Sequence, residues 1–277
     1  MNRLSSLGSS DPQQSTESQH SHPTNQTHPG PRPQPPATLP HLSPTIDRPR
    51  RFFLPASYEP NYRYPLIVWL HGNGHNENEV TQVMPHISIQ NYLAVGVRGS
   101  RSIDPAGHRF DWATSPAAVA RCEDGIFQAI DEASERYSVH PDRVFLAGYG
   151  AGGTMARRIA LRHADAFAGC VSLGGRFPRG GGLLSNLAVA RTLDHFWALG
   201  IDNPQVSADD FASDLELIST ARLRMDIRRY TVDDEMVREV LRDVDAWVMR
   251  LVTGGQAAGG AAASDKWKTV EVGFSAN

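Results

Sequence analysis

Cysteine, net charge and long apolar runs are all scarce in this 277-residue chain. Its two cysteines, Cys122 in a predicted helix and Cys170 in an apolar strand, are too few for a disulfide framework and read as small core residues. A formal charge of −3 leaves no electrostatic footprint for nucleic acid, so no nucleic-acid partner is expected. No apolar stretch is long enough to span a membrane, and the apolar residues of Met1–Gly8 are too scattered to form the hydrophobic region of a secretory signal. The expectation is a cytoplasmic protein. His20, His22, His28 and His41 match no zinc-ligand spacing, and neither a metal nor a cofactor is expected.

Residues 1–46 are rich in Pro, Ser, Gln, Thr and His and carry almost no apolar periodicity. Such a segment buries too little surface to offset its ordering entropy and reads as a disordered tail. At the other end, residues 254–263 have the Gly and Ala content of a flexible linker. Beyond it, Val270, Val272 and Phe274 alternate at strand period, so residues 264–277 could dock on a protein partner by adding a strand, or remain unstructured. Residues 47–253 are left as a single domain.

Within that domain, Arg51–Leu54 reads as an edge strand and Tyr64–Leu70 as a strand buried on both faces. A short helix near Glu79–Met84 and a strand at Tyr92–Val97 follow. Ser115-Pro116 has the capping serine and first-turn proline of a helix start, and Val119, Cys122, Ile126, Ile130, Ala133 and Tyr137 mark that helix's buried face. Val144–Tyr149, Gly169–Leu173, Leu193–Leu199 and Met225–Tyr230 read as strands, and Ser207–Asp210 opens a helix with capping-box spacing. The last helix is expected from about Asp234 to Val252, with Met236, Val240, Val244, Trp247 and Leu251 on one face. Strands alternating with amphipathic helices specify an α/β domain with a mostly parallel central sheet and helices on both faces.

The chemistry-bearing stretch is Val144–Gly153 followed by Thr154–Leu161, an apolar strand, a glycine-rich turn and a helix. It has the form of a nucleophile elbow, Gly-x-Ser-x-Gly, in which outer glycines allow strand and helix to pack closely while the central residue stands above the sheet. Gly148 and Gly152 occupy the outer positions and Gly150 the central one, where no hydroxyl is available. With Leu70-His71-Gly72, Arg98-Gly99, Asp142–Gly148, Gly152–Ala156 and Phe167–Gly174, this stretch resembles the phospholipase/carboxylesterase family of α/β hydrolases, which includes the acyl-protein thioesterases. The resemblance implies an α/β-hydrolase fold and ester or thioester hydrolysis by a Ser, Asp, His triad in that chain order.

The three triad positions that the resemblance implies are Gly150, Asn203 and Asp234, with Asp202 one residue early in the acid turn. The last histidine is His195, so no imidazole follows the acid turn. Asp234 also reads as an N-cap of the final helix. The family's oxyanion donors map to the backbone amides of Asn73 and Ala151, with His71, Gly72 and Tyr149 lining the pocket; a packing or turn role is the plain alternative for His71 and His75. These substitutions point to a catalytically inactive pseudo-hydrolase that binds an acyl or carboxylate-bearing small ligand or a partner. Two other readings stand beside it. One is an ester hydrolase with relocated chemistry, such as a cation held by Asp202, Asp234 and His71 or His75; the other is a scaffold acting through its tails.

Overall fold

The computed structural model describes residues 49–232 and 235–254. Seven strands form one sheet: β1 (Arg50–Phe53), β2 (Tyr64–Leu70), β3 (Leu93–Val97), β6 (Val139–Tyr149), β7 (Gly169–Leu173), β8 (Asp194–Gly200) and β9 (Arg224–Tyr230), in the order β1-β3-β2-β6-β7-β8-β9. Only β1 runs antiparallel, at the edge against β3. All seven residues of β2 are buried, as expected for a strand covered on both faces.

The alternation within each strand assigns its side chains to two layers. Leu66, Val68 and Leu70 face α2 (Pro116–Arg136) and α3 (Ala151–Arg162), whereas Ile67 and Trp69 face α1 (Glu79–Ile87) and α6 (Arg238–Val252). A third cluster packs α5 (Ala208–Ala221) against Trp197 and Leu199 of β8, beside the short helix α4 (Leu187–Ala190). Helices on both faces of a mostly parallel sheet make this one α/β domain with α/β-hydrolase architecture.

Local chemistry sets the ends of the helices. The Ser115 hydroxyl accepts the Ala118 amide with Pro116 at the first position of α2, and the Ser207 hydroxyl accepts the Asp210 amide at α5. The last helix departs from expectation: α6 starts at Arg238, four residues after the expected start, with Val237 at its N-cap position. Asp234 lies outside the described residues, as do the N-terminal tail and residues 264–277. A two-stranded hairpin, β4 (Arg101–Ser102) with β5 (Phe110–Asp111), was not foreseen. Among the described residues no helix is long and apolar enough to cross a membrane.

Candidate functional site

Strand β6 ends at the turn that places Gly150 ahead of α3. Gly150 has φ 51° and ψ −119°, a backbone region that side chains rarely enter, yet a Cβ built there meets nothing within 4 Å. Its flanking glycines are different. A Cβ on Gly152 would sit 2.2 Å from the Leu70 carbonyl oxygen and 2.3 Å from that of His71, and one on Gly148 would lie 2.7 Å from Leu70 O. Strand and helix therefore approach as closely as the outer glycines allow, and the central position has the bent conformation and outward space of an elbow.

The facing loop, His71–His75, is held by backbone and side-chain bonds on all sides. His71 is fully buried; its Nε2 accepts the Gly99 amide at 2.9 Å, which leaves the ring proton on Nδ1, donated to Gly72 O at 2.7 Å. Burial holds its pKa below the ordinary histidine value, and the hydrogen bond to Gly72 offsets this only in part. The ring stacks near Trp112, whose indole N–H donates to His71 O. His71 is thus a neutral brace for the loop, and its one lone pair is taken.

Within that loop the Gly72 amide donates to the buried Glu79 carboxylate, the Gly74 amide to Phe110 O, and the His75 amide to Gly72 O. The Asn73 amide has no backbone acceptor among the described residues. On the elbow side the Gly150 amide donates to Leu173 O, while Ala151 opens α3, where first-turn amides have no intrahelical acceptor. Among the described residues neither of the two amides expected from sequence donates to a backbone acceptor. Tyr149 packs over Gly72, where an added Cβ would touch its ring at 2.7 Å. Glu79 was not singled out from sequence: it takes the Trp69 indole N–H and the Gly72 amide, and pairs with His75 Nδ1 at 3.1 Å.

At the ends of β7 and β8 the acid turn brings Asn203 inward and leaves Asp202 exposed. Asn203 Nδ2 donates to Glu235 Oε1 at 2.6 Å and to Gly174 O at 3.3 Å, and its Oδ1 accepts the Gln205 amide. Glu235 is 2% exposed, and its Oε1 also accepts the Gly200 amide at 2.8 Å. Gly174 immediately follows Leu173, the acceptor of the Gly150 amide, and a Cβ on it would meet Glu235 Oε2 at 2.5 Å. Sequence reasoning missed Glu235. It adjoins Asp234, and the signal that could have found it was the acidic run Asp233–Glu235.

The cation arrangement considered from sequence gains no support from His71, whose ring nitrogens are both committed, or from Asp202, which is exposed. Among the described residues no group of three or more His, Cys, Asp or Glu side chains is placed to hold a metal ion.

No family model matches the chain. Over 120 residues, 41% of its length, it is 30% identical to a protein named as a candidate esterase, NocK of Nocardia uniformis subsp. tsuyamanensis; this match spans 33% of that protein. The chain therefore covers about a third of the length of that relative. Among solved structures, a Bacillus cereus carboxylesterase superimposes with a TM-score of 0.58 at 17% identity, covering 75% of this chain and 96% of that one. A ferulic acid esterase gives 0.58 at 18% identity, covering 73% and 92%. A Staphylococcus aureus fluorophosphonate-binding serine hydrolase, FphF, gives 0.53 at 14% identity, covering 74% and 92%. These likenesses establish the fold: the chain is an α/β-hydrolase-fold protein, with weak sequence similarity to carboxylesterase-like members of that fold.

Proposed function

We propose that this chain is a pseudo-hydrolase, in which the elbow site binds a carbonyl or carboxylate oxygen without attacking it. One observation carries the reading: the elbow keeps its bent backbone and open outward direction at Gly150, but that residue has no side chain. Covalent ester hydrolysis of the family type needs an activated hydroxyl at this point. The amides of Asn73 and Ala151 supply donors of the kind that hold a developing or fixed negative oxygen, and backbone donors do not depend on the missing side chain. The position matching the triad acid carries an amide, Asn203, and that matching the base carries Asp234. Loss of a triad leaves at most roughly 10³ to 10⁴-fold over water from the remaining site.

The test is labelling of the purified chain with a fluorophosphonate, alongside hydrolysis of short- and long-chain p-nitrophenyl esters and calorimetric titration with butyrate. No labelling, background hydrolysis and saturable butyrate binding are expected. Labelling of a core serine at rates usual for serine hydrolases would overturn the reading.

A second reading has Glu235 in its favour, a buried carboxylate held by two N–H donors at the ends of β7 and β8. A carboxylate at such a place could accept a proton from water as that water adds to an ester carbonyl carbon. Ester turnover that resists fluorophosphonate and disappears in Glu235→Gln would establish this reading over the first.

A further inference from the structure

Behind the elbow, on the face of the sheet that α3 covers, the β7 residues Cys170 and Ser172 stand beside the β8 residues His195 and Trp197. Cys170 pairs in register with His195 and Ser172 with Trp197. The intervening Val171, Leu173, Phe196 and Ala198 belong to the opposite layer, under α1 and α6. Three polar side chains and an indole thus share one buried patch. Ser172 lies directly beneath the turn, its Oγ 2.7 Å from where a Cβ on either Gly153 or Gly175 would sit.

Helix α3 lays Arg157 onto this patch. Its side chain is wholly buried, with the guanidinium carbon 4.4 Å from the ring centre of Trp197 and 5.6 Å from that of Phe177. Aromatic faces attract a cation, but by much less than a guanidinium loses on leaving water. Among the described residues none of its three nitrogens has a hydrogen-bond acceptor, and the same holds for both ring nitrogens of His195 and for Ser172 Oγ. Buried polar groups in folded proteins are satisfied with few exceptions, so a cluster of unsatisfied donors calls for a partner.

The β7 and β8 side chains of the patch carry no negative charge. Burial pushes the Cys170 thiol up to about 12, which keeps it protonated despite the nearby guanidinium. Burial, reinforced by the charge of Arg157, lowers His195 to about 3, so the imidazole is neutral and offers a single donor. Asp214 attracts Arg157, but its Oδ1 is ion-paired with Arg179 at 2.5 Å. A guanidinium carries five N–H donors and no acceptor. Water would satisfy some of these donors but add no charge, and Asp214 is shared with Arg179; an anion supplies both an acceptor and a charge.

We propose that Arg157 holds a small inorganic anion, a halide such as chloride, behind the elbow, with Ser172 and His195 as neighbouring donors. The apolar side chains around the patch, among them Leu161, Ala190 and Leu199, favour a compact monoanion over a larger oxyanion with more oxygens to satisfy. The ion would tie the elbow helix to β7 and β8, and this role is independent of whether the elbow site turns over an ester.

The test uses the full chain in chloride, bromide or gluconate at fixed ionic strength, with thermal unfolding as the readout. A ligand bound only by the folded state raises the unfolding midpoint in a saturable way, so a rise of a few degrees is expected with either halide and none with gluconate. Arg157→Met keeps the stacking on Trp197 and removes the charge, and should abolish the halide dependence. Crystals of the unaltered chain soaked in bromide should show an anomalous peak in hydrogen-bond contact with Arg157, which decides the matter should the variant fail to fold. Absence of a halide effect, an equal effect in Arg157→Met, or water alone at that position in saturating bromide would each overturn the proposal.

Discussion

Asn203 and Glu235 meet across 2.6 Å at the ends of β7 and β8, with the amide donating and the carboxylate accepting. In a triad the acid turn supplies the carboxylate and its partner supplies the N–H. Here the acid turn supplies the N–H and the carboxylate comes from the segment before the last helix. The polarity of this bond is the reverse of that between a triad acid and its imidazole, and Glu235 is further fixed by the Gly200 amide.

Replacing Asn203 by Asp should therefore destabilise the protein in a pH-dependent manner. Two carboxylates at this separation cannot both ionise freely, so the folded pair retains a proton that the unfolded chain has released. Stability relative to the unaltered protein then falls as pH rises above about 4, the unfolded pKa of Asp. Thermal unfolding from pH 4 to 8 checks this: the gap between variant and unaltered midpoints should widen toward neutral pH. A constant gap would mean that the two side chains do not face each other.

The elbow glycines should separate sharply under alanine substitution. In Gly152→Ala the new Cβ lies 2.2 and 2.3 Å from two carbonyl oxygens, so β2 or α3 must move, at the upper end of the about 1–3 kcal/mol usual for overpacking or beyond it. In Gly150→Ala no atom lies within 4 Å, and the cost is confined to backbone strain of about 1–3 kcal/mol. Urea unfolding should rank Gly152→Ala well below Gly150→Ala.

Much of this was readable in the sequence because its signals are local. The buried run Tyr64–Leu70 became β2, and the serines at 115 and 207 cap the helices they announce. The start of α6 was misplaced by four residues, since Asp234 is a good cap by type but the preceding segment is drawn inward by Glu235. The hairpin β4–β5 consists of two-residue strands and leaves no alternation to detect. Glu235 and Arg157 were missed for a different reason. Each is charged, and only tertiary packing tells a buried charge from a solvated one.

Acidification should destabilise the fold through its buried histidines. Burial lowers the pKa of His71, and burial with the facing charge of Arg157 lowers His195 to about 3. Below the unfolded value near 6.5 the unfolded chain takes up protons that the native state refuses, so stability present above that pH is lost as pH falls toward the folded pKa. Each histidine contributes up to about 1.4 kcal/mol per pH unit in this range. Midpoints measured from pH 7 to 4 should drop, and His195→Gln should flatten the slope; an unchanged slope would assign the loss to other groups.

The core should be separable from both ends of the chain. The composition of residues 1–46 and 254–263 motivates this expectation, since neither carries an apolar face to dock. Limited proteolysis with mass spectrometry should leave a resistant fragment of roughly residues 47 to 253, an ordinary size for one domain. First cuts inside that span would move the boundaries.

Rebuilding a triad gives the most demanding test of the site. Gly150→Ser alone should yield almost nothing, because a hydroxyl without an imidazole stays protonated. Sequence alone assigns the histidine to position 234, but the side chain that Asn203 touches is Glu235. A triple variant Gly150→Ser, Asn203→Asp, Glu235→His should therefore turn over p-nitrophenyl esters, with the new aspartate orienting the new imidazole. Moving the histidine to Asp234→His instead leaves Glu235 facing the new aspartate, two carboxylates in one place, and should give a less stable and less active protein. Triad members act as a unit, so each double variant should fall far short of the triple. If the variant with histidine at 234 is the more active, Glu235 is not the partner of the acid turn in the catalytic sense, and the reversed bond to Asn203 serves only to hold the segment in place.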